Sequence, residues 1–239
     1  MPAEGTPFGV FGDVPYSEAE IGRVEGLIDE MNAAPLAFVV HVGDVGSSSA
    51  RQACGDAWLL ERKKQFARIR HPFILVPGDN EWSDCKEPLK RLEVWRRNFC
   101  GNEGLPVERQ NGPYCEHIRW QSGGTLFVVL NVVGSNNHLR HAEHAPRMAA
   151  VMAWLDESAG LALRRNLRLA VLMHADPFVT TPRDGYAPLR ARLGILGERQ
   201  KTILIHGDTH VYRDDEPIPG VRRIEVWGSP FVGWLRLAF

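Results

Sequence analysis

The chain has 239 residues, 44% of them hydrophobic and 24% charged, proportions that suit a globular protein with one sizeable core over residues 1–239. A net charge of −1 supplies no basic field, which argues against a nucleic-acid partner. No apolar run approaches the length of a membrane span, and the opening residues lack the basic start and apolar stretch of a signal peptide, so a soluble protein with no membrane partner is expected.

In chain order, Phe8-Gly9-Val10-Phe11 reads as a buried strand that ends in Gly12-Asp13. Ser17-Glu18-Ala19-Glu20 has the form of a helix start, followed by Ile21, Val24, Leu27 and Ile28 on one face. Ala37 to Val42 is a second strand, ending in Gly43-Asp44. Helical periodicity from Trp58 to Ile69 precedes a third strand, Phe73 to Pro77, which ends in Gly78-Asp79. A helix is expected over Leu89 to Phe99, and a strand over Thr125 to Leu130 that ends at Asn131. The stretch from Gly134 to Pro146 is a polar loop with His138, His141 and His144. Met148 to Ala162 is helical, and Leu169 to Met173 is a strand ending at His174. A second long loop, Pro177 to Pro188, holds Arg183, Asp184 and Tyr186. Ile203-Leu204-Ile205-His206 is a strand ending in Gly207-Asp208. Val221–Trp227 and Phe231–Leu237, joined by Gly228-Ser229-Pro230, read as a closing hairpin. Strands alternating with helices predict α/β layering.

The cysteines at 54, 85, 100 and 115 form no CxxC pair. Two readings stand: four reduced thiols, or two disulfides, Cys54–Cys85 and Cys100–Cys115, which would place the protein in an exported or periplasmic setting rather than the cytoplasm. Three pairings are possible, and spacing does not choose among them.

One Gly-Asp is an ordinary turn, and Gly55-Asp56, which follows no strand, is assigned no chemistry. Four at strand ends are different. Ligands of layered α/β folds gather at the carboxyl ends of the strands. Four carboxylates collected there would repel one another unless a cation compensates them. His174 ends its own strand, and His210 stands two residues past Asp208, on the same side if the segment is extended.

This pattern resembles the calcineurin-like metallophosphoesterases, which include the purple acid phosphatases. Their motifs run D-x-H, GD, GNH[ED], a lone His and GHxH. Here the order is Gly12-Asp13-Val14-Pro15, Gly43-Asp44, Gly78-Asp79-Asn80-Glu81, His174 and Gly207-Asp208-Thr209-His210, spread over nearly the whole chain. The helix around Ala153-Trp154-Leu155-Asp156-Glu157 also matches the family. The resemblance implies a four-layer α/β/β/α sandwich, with two packed mixed β-sheets flanked by helices. It implies hydrolysis of phosphoric esters by a metal-bound hydroxide at a dinuclear centre. One ion would be held by Asp13, Asp44 and His210, the other by Asp44, Asp79, His174 and Asp208, and Asp44 would bridge ions about 3.5–4 Å apart.

The motifs also depart from the family. Pro15 replaces a ligand histidine, and Tyr16 beside it is a possible extra ligand. Asp79 takes the place of the metal-binding asparagine, Asn80 that of the histidine that assists the leaving group, and Asp208 that of another histidine. In an alternative register Asn80 is the amide ligand and Asp79 its support. The added carboxylates favour Mn, Mg or Fe, with Zn or Ca possible. Asn80 can donate a hydrogen bond to phosphate but not a proton. Loss of a general acid costs roughly 10²–10⁴-fold unless His41, His138, His141 or His144 replaces it. His41 and His206 can equally be core histidines, and Trp82 either walls the site or simply packs. Arg183 and Arg190 are candidate contacts for a small phosphorylated substrate. Two other functions stay open: a phosphodiesterase or nuclease, and a metal-binding protein of this fold with weak or no catalysis. Oligomeric state is left open.

Overall fold

A computed structural model of the protein describes residues 5–49, 52–101 and 103–239. The first four residues, part of the stretch read as lacking a leader, lie outside them. One sheet has four strands in the order β11-β1-β2-β3: β1 is Phe8–Phe11, β2 Val39–His41, β3 Phe73–Leu75 and β11 Leu235–Leu237. The other has seven, ordered β4-β5-β6-β7-β8-β10-β9: β4 Glu108–Arg109, β5 Ile118–Ser122, β6 Thr125–Val129, β7 Arg168–Leu172, β8 Thr202–His206, β9 Arg213–Ile218 and β10 Val221–Glu225. The strands β1, β2 and β3 run parallel, as do β6, β7, β8 and β10.

Side-chain alternation along the strands builds the layers. Phe8, Val10, Val40 and Ile74 point inward and meet Phe127, Val129, Ala170, Leu172, Ile203 and Ile205 of the facing sheet. Phe8 stacks on Phe38 at 4.8 Å, and Trp120 on Phe127 at 5.2 Å, which fills the space between the sheets with ring area. The alternate residues Phe11, Val39 and Leu75 face outward onto α1 (Glu18–Ala33), α2 (Asp56–Phe66) and α3 (Pro88–Phe99). On the far side Leu126, Val128, Leu169, Val171 and Leu204 meet α5 (His144–Arg164) and α6 (Ala187–Arg199). The fold is therefore the expected α/β/β/α sandwich of two mixed sheets flanked by helices. Among the described residues no helix is long and apolar enough to cross a membrane.

The C-terminal hairpin does not form. β10 already has both edges paired, parallel to β8 and antiparallel to β9. The chain instead crosses between the sheets, and β11 pairs antiparallel with β1, Phe8 opposite Leu237. Its apolar residues thus serve the inter-sheet core that Val226 also faces.

α4, a single turn over Gly134–Asn137, carries left-handed backbone: Ser135, Asn136, Asn137 and then His138 have φ of 51°, 56°, 56° and 54°. Such conformations cost about 1–2 kcal/mol per residue and persist where the surroundings impose them. Buried Arg147 is the main brace. Its guanidinium donates to the carbonyls of Asn131 and Asn137, to Asn137 Oδ1 and to Glu143 Oε2, at 2.7–2.8 Å.

Of the two readings of the cysteines, the structure shows the disulfides, Cys54–Cys85 and Cys100–Cys115. The second ties the end of α3 to the segment before β5 and closes a loop of 15 residues. A loop of that length implies stabilisation of about 3 kcal/mol. Replacing Cys100 and Cys115 by serine should lower the melting temperature by roughly 6–12 °C in calorimetry. An unchanged value would show that this bridge contributes nothing to the folded state.

Candidate metal centre

Parallel strands bring Asp13, Asp44 and Asp79 to one end of the four-stranded sheet, and His174 and Asp208 to the matching end of the other. The turns that follow the strands are tight. Asp13, Asp44, Asp208 and His210 have φ of 53°, 59°, 82° and 63°, values that side chains rarely adopt. Gly78 and Gly207 are required by proximity: a Cβ on either would lie 2.1 Å from a carboxylate oxygen, of Asp44 and Asp13 respectively. Sequence local to each strand therefore sets carboxylates edge to edge across the two sheets.

Two overlapping groups result. Asp13, Asp44 and His174 present ligand atoms within 4.8 Å of one another, and so do Asp79, His174 and Asp208. His174 donates from Nδ1 to the carbonyl of Val42 at 2.9 Å. Its Nε2 lies 2.9, 3.5 and 3.9 Å from oxygens of Asp79, Asp44 and Asp208, yet makes no hydrogen bond of acceptable geometry. His210 repeats the device, with Nδ1 on the carbonyl of Ser229 at 2.7 Å and Nε2 3.6 Å from Asp13. A ring anchored by one nitrogen on a carbonyl, with the other aimed among carboxylates, is how imidazoles hold cations. The donor set thus fits divalent ions, and the orphaned Nε2 of His174 is the atom an ion would satisfy.

Electrostatics point the same way. Burial pushes the carboxyls of Asp13 and Asp44 well above the usual range, against the pull of His174, and raises Asp208 to about 6. Burial works against a charged His174, but Asp44, Asp79 and Asp13 outweigh it and hold the imidazolium well above its ordinary value. Without a cation, then, the cluster keeps protons that an ion would displace.

The surrounding hydrogen bonds fix these groups. Asp44 accepts from the backbone N–H of Asn80 at 3.0 Å and from the Tyr16 hydroxyl at 2.8 Å. Burial and the nearby carboxylates of Asp44 and Asp13 push the Tyr16 phenol upward, and in this structure Tyr16, named from sequence as a possible extra ligand, donates its hydroxyl to Asp44. Asn80 spends both amide hydrogens, on Tyr16 Oη at 3.1 Å and the carbonyl of Gly46 at 2.9 Å, which leaves none for phosphate. His41 is no proton donor either. By strand parity it faces the helices, packed on Phe11 and Phe66, with Nε2–H on the carbonyl of Val14 and Nδ1 accepting from Gly43 N–H. Burial lowers it to about 3.

His138 contacts Glu143 through Nδ1 at 2.7 Å and stacks on His141 at 3.5 Å, and burial lowers it. It lines a cavity of about 630 Å³ with Ser135, Arg140, His141 and Arg183. Ser135 donates to Asp79 Oδ2 at 3.2 Å, which joins that cavity to the centre. Arg190 is engaged with Asp184 and the carbonyl of Pro177, and Trp82 is fully buried against His138 as packing. Glu81 was not singled out from sequence, yet its Oε1 accepts from the N–H groups of Asp44 and Gly78, both at 3.1 Å, and so locks two ligand loops. Its place beside Asp79-Asn80 was the available signal. A third group, Asp176, His206 and Glu225, is neutralised by Arg223 and Arg213.

The fold is shared with a solved dimetal phosphatase. No protein-family model matches the chain, and no curated protein does. Among solved structures, a dimetal phosphatase from Danio rerio is similar at 15% identity and a TM-score of 0.64, covering 94% of this chain and 88% of that one. A single mutant of Vps29 from Entamoeba histolytica aligns at 16% identity and a TM-score of 0.41, over 98% and 86% of the two chains.

Asp44→Asn should lower bound manganese, measured by elemental analysis after gel filtration; unchanged stoichiometry would remove Asp44 from the centre. For Asp208, a folded value of about 6 against an ordinary 3.8 means that the group contributes stability below pH 3.8 that disappears as pH rises through 6. In chelator, wild type should therefore lose stability relative to Asp208→Asn across that window, and saturating manganese should reverse the loss. A pH-independent difference between the two proteins would contradict this assignment.

Proposed function

We propose that the protein is a metal-dependent hydrolase of small phosphoric esters. The observation that carries this reading is the orphaned Nε2 of His174 among the carboxylates of Asp44, Asp79 and Asp208. One ion would be held by Asp13, Asp44 and His210, the second by Asp44, Asp79, His174 and Asp208. Two bound divalent ions would supply Lewis-acid polarisation of phosphoryl oxygens and a lowered pKa of bound water. The carboxylate-rich donor set favours Mn, Mg or Fe, with Zn or Ca as alternatives.

The chain's own groups preorganise this site. Tyr16 and the Asn80 N–H orient the Asp44 carboxylate through both of its oxygens, and Glu81 holds the loops beneath it. Arg140 and Arg183 line the adjoining cavity, and among the described residues neither pairs with a carboxylate, so both are available to an anionic substrate. With Asn80 and His41 fully engaged, proton supply to the leaving group falls to the histidines of the adjoining cavity, His138 and His141. Burial lowers the His138 pKa, so that ring holds a second proton less readily. Esters with acidic leaving groups therefore suit the site best. The same shortage of proton donors favours a second reading, a metal-binding protein with little turnover. The two disulfides support an exported setting.

Metal-loaded protein should hydrolyse 4-nitrophenyl phosphate, and His174→Ala should lose more activity and more metal than His138→Ala. Bound metal without turnover of either this ester or bis(4-nitrophenyl) phosphate would favour the second reading, and diester turnover alone would favour a phosphodiesterase.

A further inference from the structure

Exposed aromatic area is concentrated beside the centre. Tyr212 and Phe231 are 41% and 54% exposed, and each lies against the ring of Trp227. Tyr212 stacks on Trp227 at 4.6 Å with planes 22° apart, and Phe231 leans on it at 5.2 Å. Exposed apolar surface of this kind on a soluble fold marks a binding site more often than it marks chance.

The shelf is tied to the Asp13 and His210 side of the cluster. Tyr212 follows His210 by two residues, within ~7 Å along the chain. Gly228, next to Trp227, is pressed so close that a Cβ would fall 2.5 Å from Asp13 Cβ and 2.7 Å from the His210 ring. Ser229 N–H donates to the Asp13 carbonyl, the Ser229 carbonyl accepts from His210 Nδ1, and Phe231 N–H closes the turn on Gly228. The rings are therefore fixed relative to two candidate ligands. The three rings carry no charge; Arg213 next to Tyr212 is held by Glu225 and Thr209, and Arg23, which donates to the Pro230 carbonyl beside Phe231, lies against Glu20. Such a surface recognises a planar, uncharged ring by stacking. Arg140 and Arg183 line a separate cavity that Ser135 joins to Asp79, so the shelf and that cavity adjoin the cluster through different carboxylates, Asp13 and Asp79.

We propose that Trp227, Tyr212 and Phe231 form a stacking subsite for the planar aromatic part, a nucleobase or an aryl ring, of the phosphoester held at the metal centre. The proposal rests on the hydrolase reading for its substrate class, and its test includes a readout that does not. On the manganese-loaded full chain, KM and kcat are measured for 1-naphthyl phosphate, adenosine 5′-monophosphate and glycerol 2-phosphate. The ring-bearing esters should show the lower KM, and Trp227→Ala should reduce that advantage roughly 5- to 100-fold, with Trp227→Phe retaining most of it. A response confined to adenosine 5′-monophosphate assigns the shelf to a nucleobase, and one confined to 1-naphthyl phosphate assigns it to an aryl ring. Phe231→Ala, at an exposed position that opens no core cavity, should act in the same direction more weakly. Quenching of tryptophan fluorescence by the two ring-bearing esters, lost in Trp227→Ala, should accompany these changes. If no ester is turned over but quenching persists and depends on Trp227, the subsite stands while the hydrolase reading falls. An unchanged KM advantage in folded Trp227→Ala overturns the proposal, as does absent quenching. A dimer that Phe231→Ala dissociates without altering selectivity overturns it too, by making the shelf a contact between copies.

Discussion

Mutual repulsion among carboxylates in a largely buried crevice is the constraint on which this molecule turns. Asp13, Asp44 and Asp79 are buried and Asp208 is partly so, and among the described residues the basic side chains in contact with them are the imidazoles of His174 and His210. Buried charge of one sign is costly unless it is neutralised. Other acidic clusters in the fold are neutralised by arginine, as Asp176 and Glu225 are by Arg223 and Arg213. Among the described residues no guanidinium contacts Asp44; the Tyr16 hydroxyl and the Asn80 N–H hold its carboxylate, and Glu81 holds its backbone N–H. Such a site is built for a mobile cation.

The sandwich makes this crowding unavoidable. Each sheet contributes parallel strands whose inward residues lock the two sheets face to face through Phe8, Phe38, Trp120 and Phe127. Once that core forms, the residues just past β1, β2, β3, β7 and β8 have nowhere to go but the shared end of the crevice. Close glycines and left-handed turns accommodate them. The energy stored in those turns is offset by the core and would be further offset by ion binding.

Much of this was legible because the relevant signals are local. An apolar run closed by Gly-Asp carries its own strand, its own turn and its own ligand, and the parity that faces Val40 and Val42 inward also turns His41 outward. The misreadings came where partners are remote. Nothing near Leu235 tells that it pairs with Val10 and not with the strand at Val221. β9, with Arg213-Asp214-Asp215-Glu216, is an exposed edge whose charges hide its strand character. The spacing of Leu189, Leu193 and Leu196 marks α6, but Pro188, Gly194 and Gly197 obscure it. The engagement of Asn80 by Tyr16 and Gly46, and the bracing of α4 by Arg147, depend on contacts between distant segments that no local pattern encodes.

Anomalous scattering from crystals soaked in manganese tests the central claim most directly. The account predicts two peaks in the crevice, one contacting Asp13, Asp44 and His210 and one contacting Asp44, Asp79, His174 and Asp208. An empty crevice at saturating manganese, with the His174 Nε2 proton still shared among the carboxylates, would contradict it.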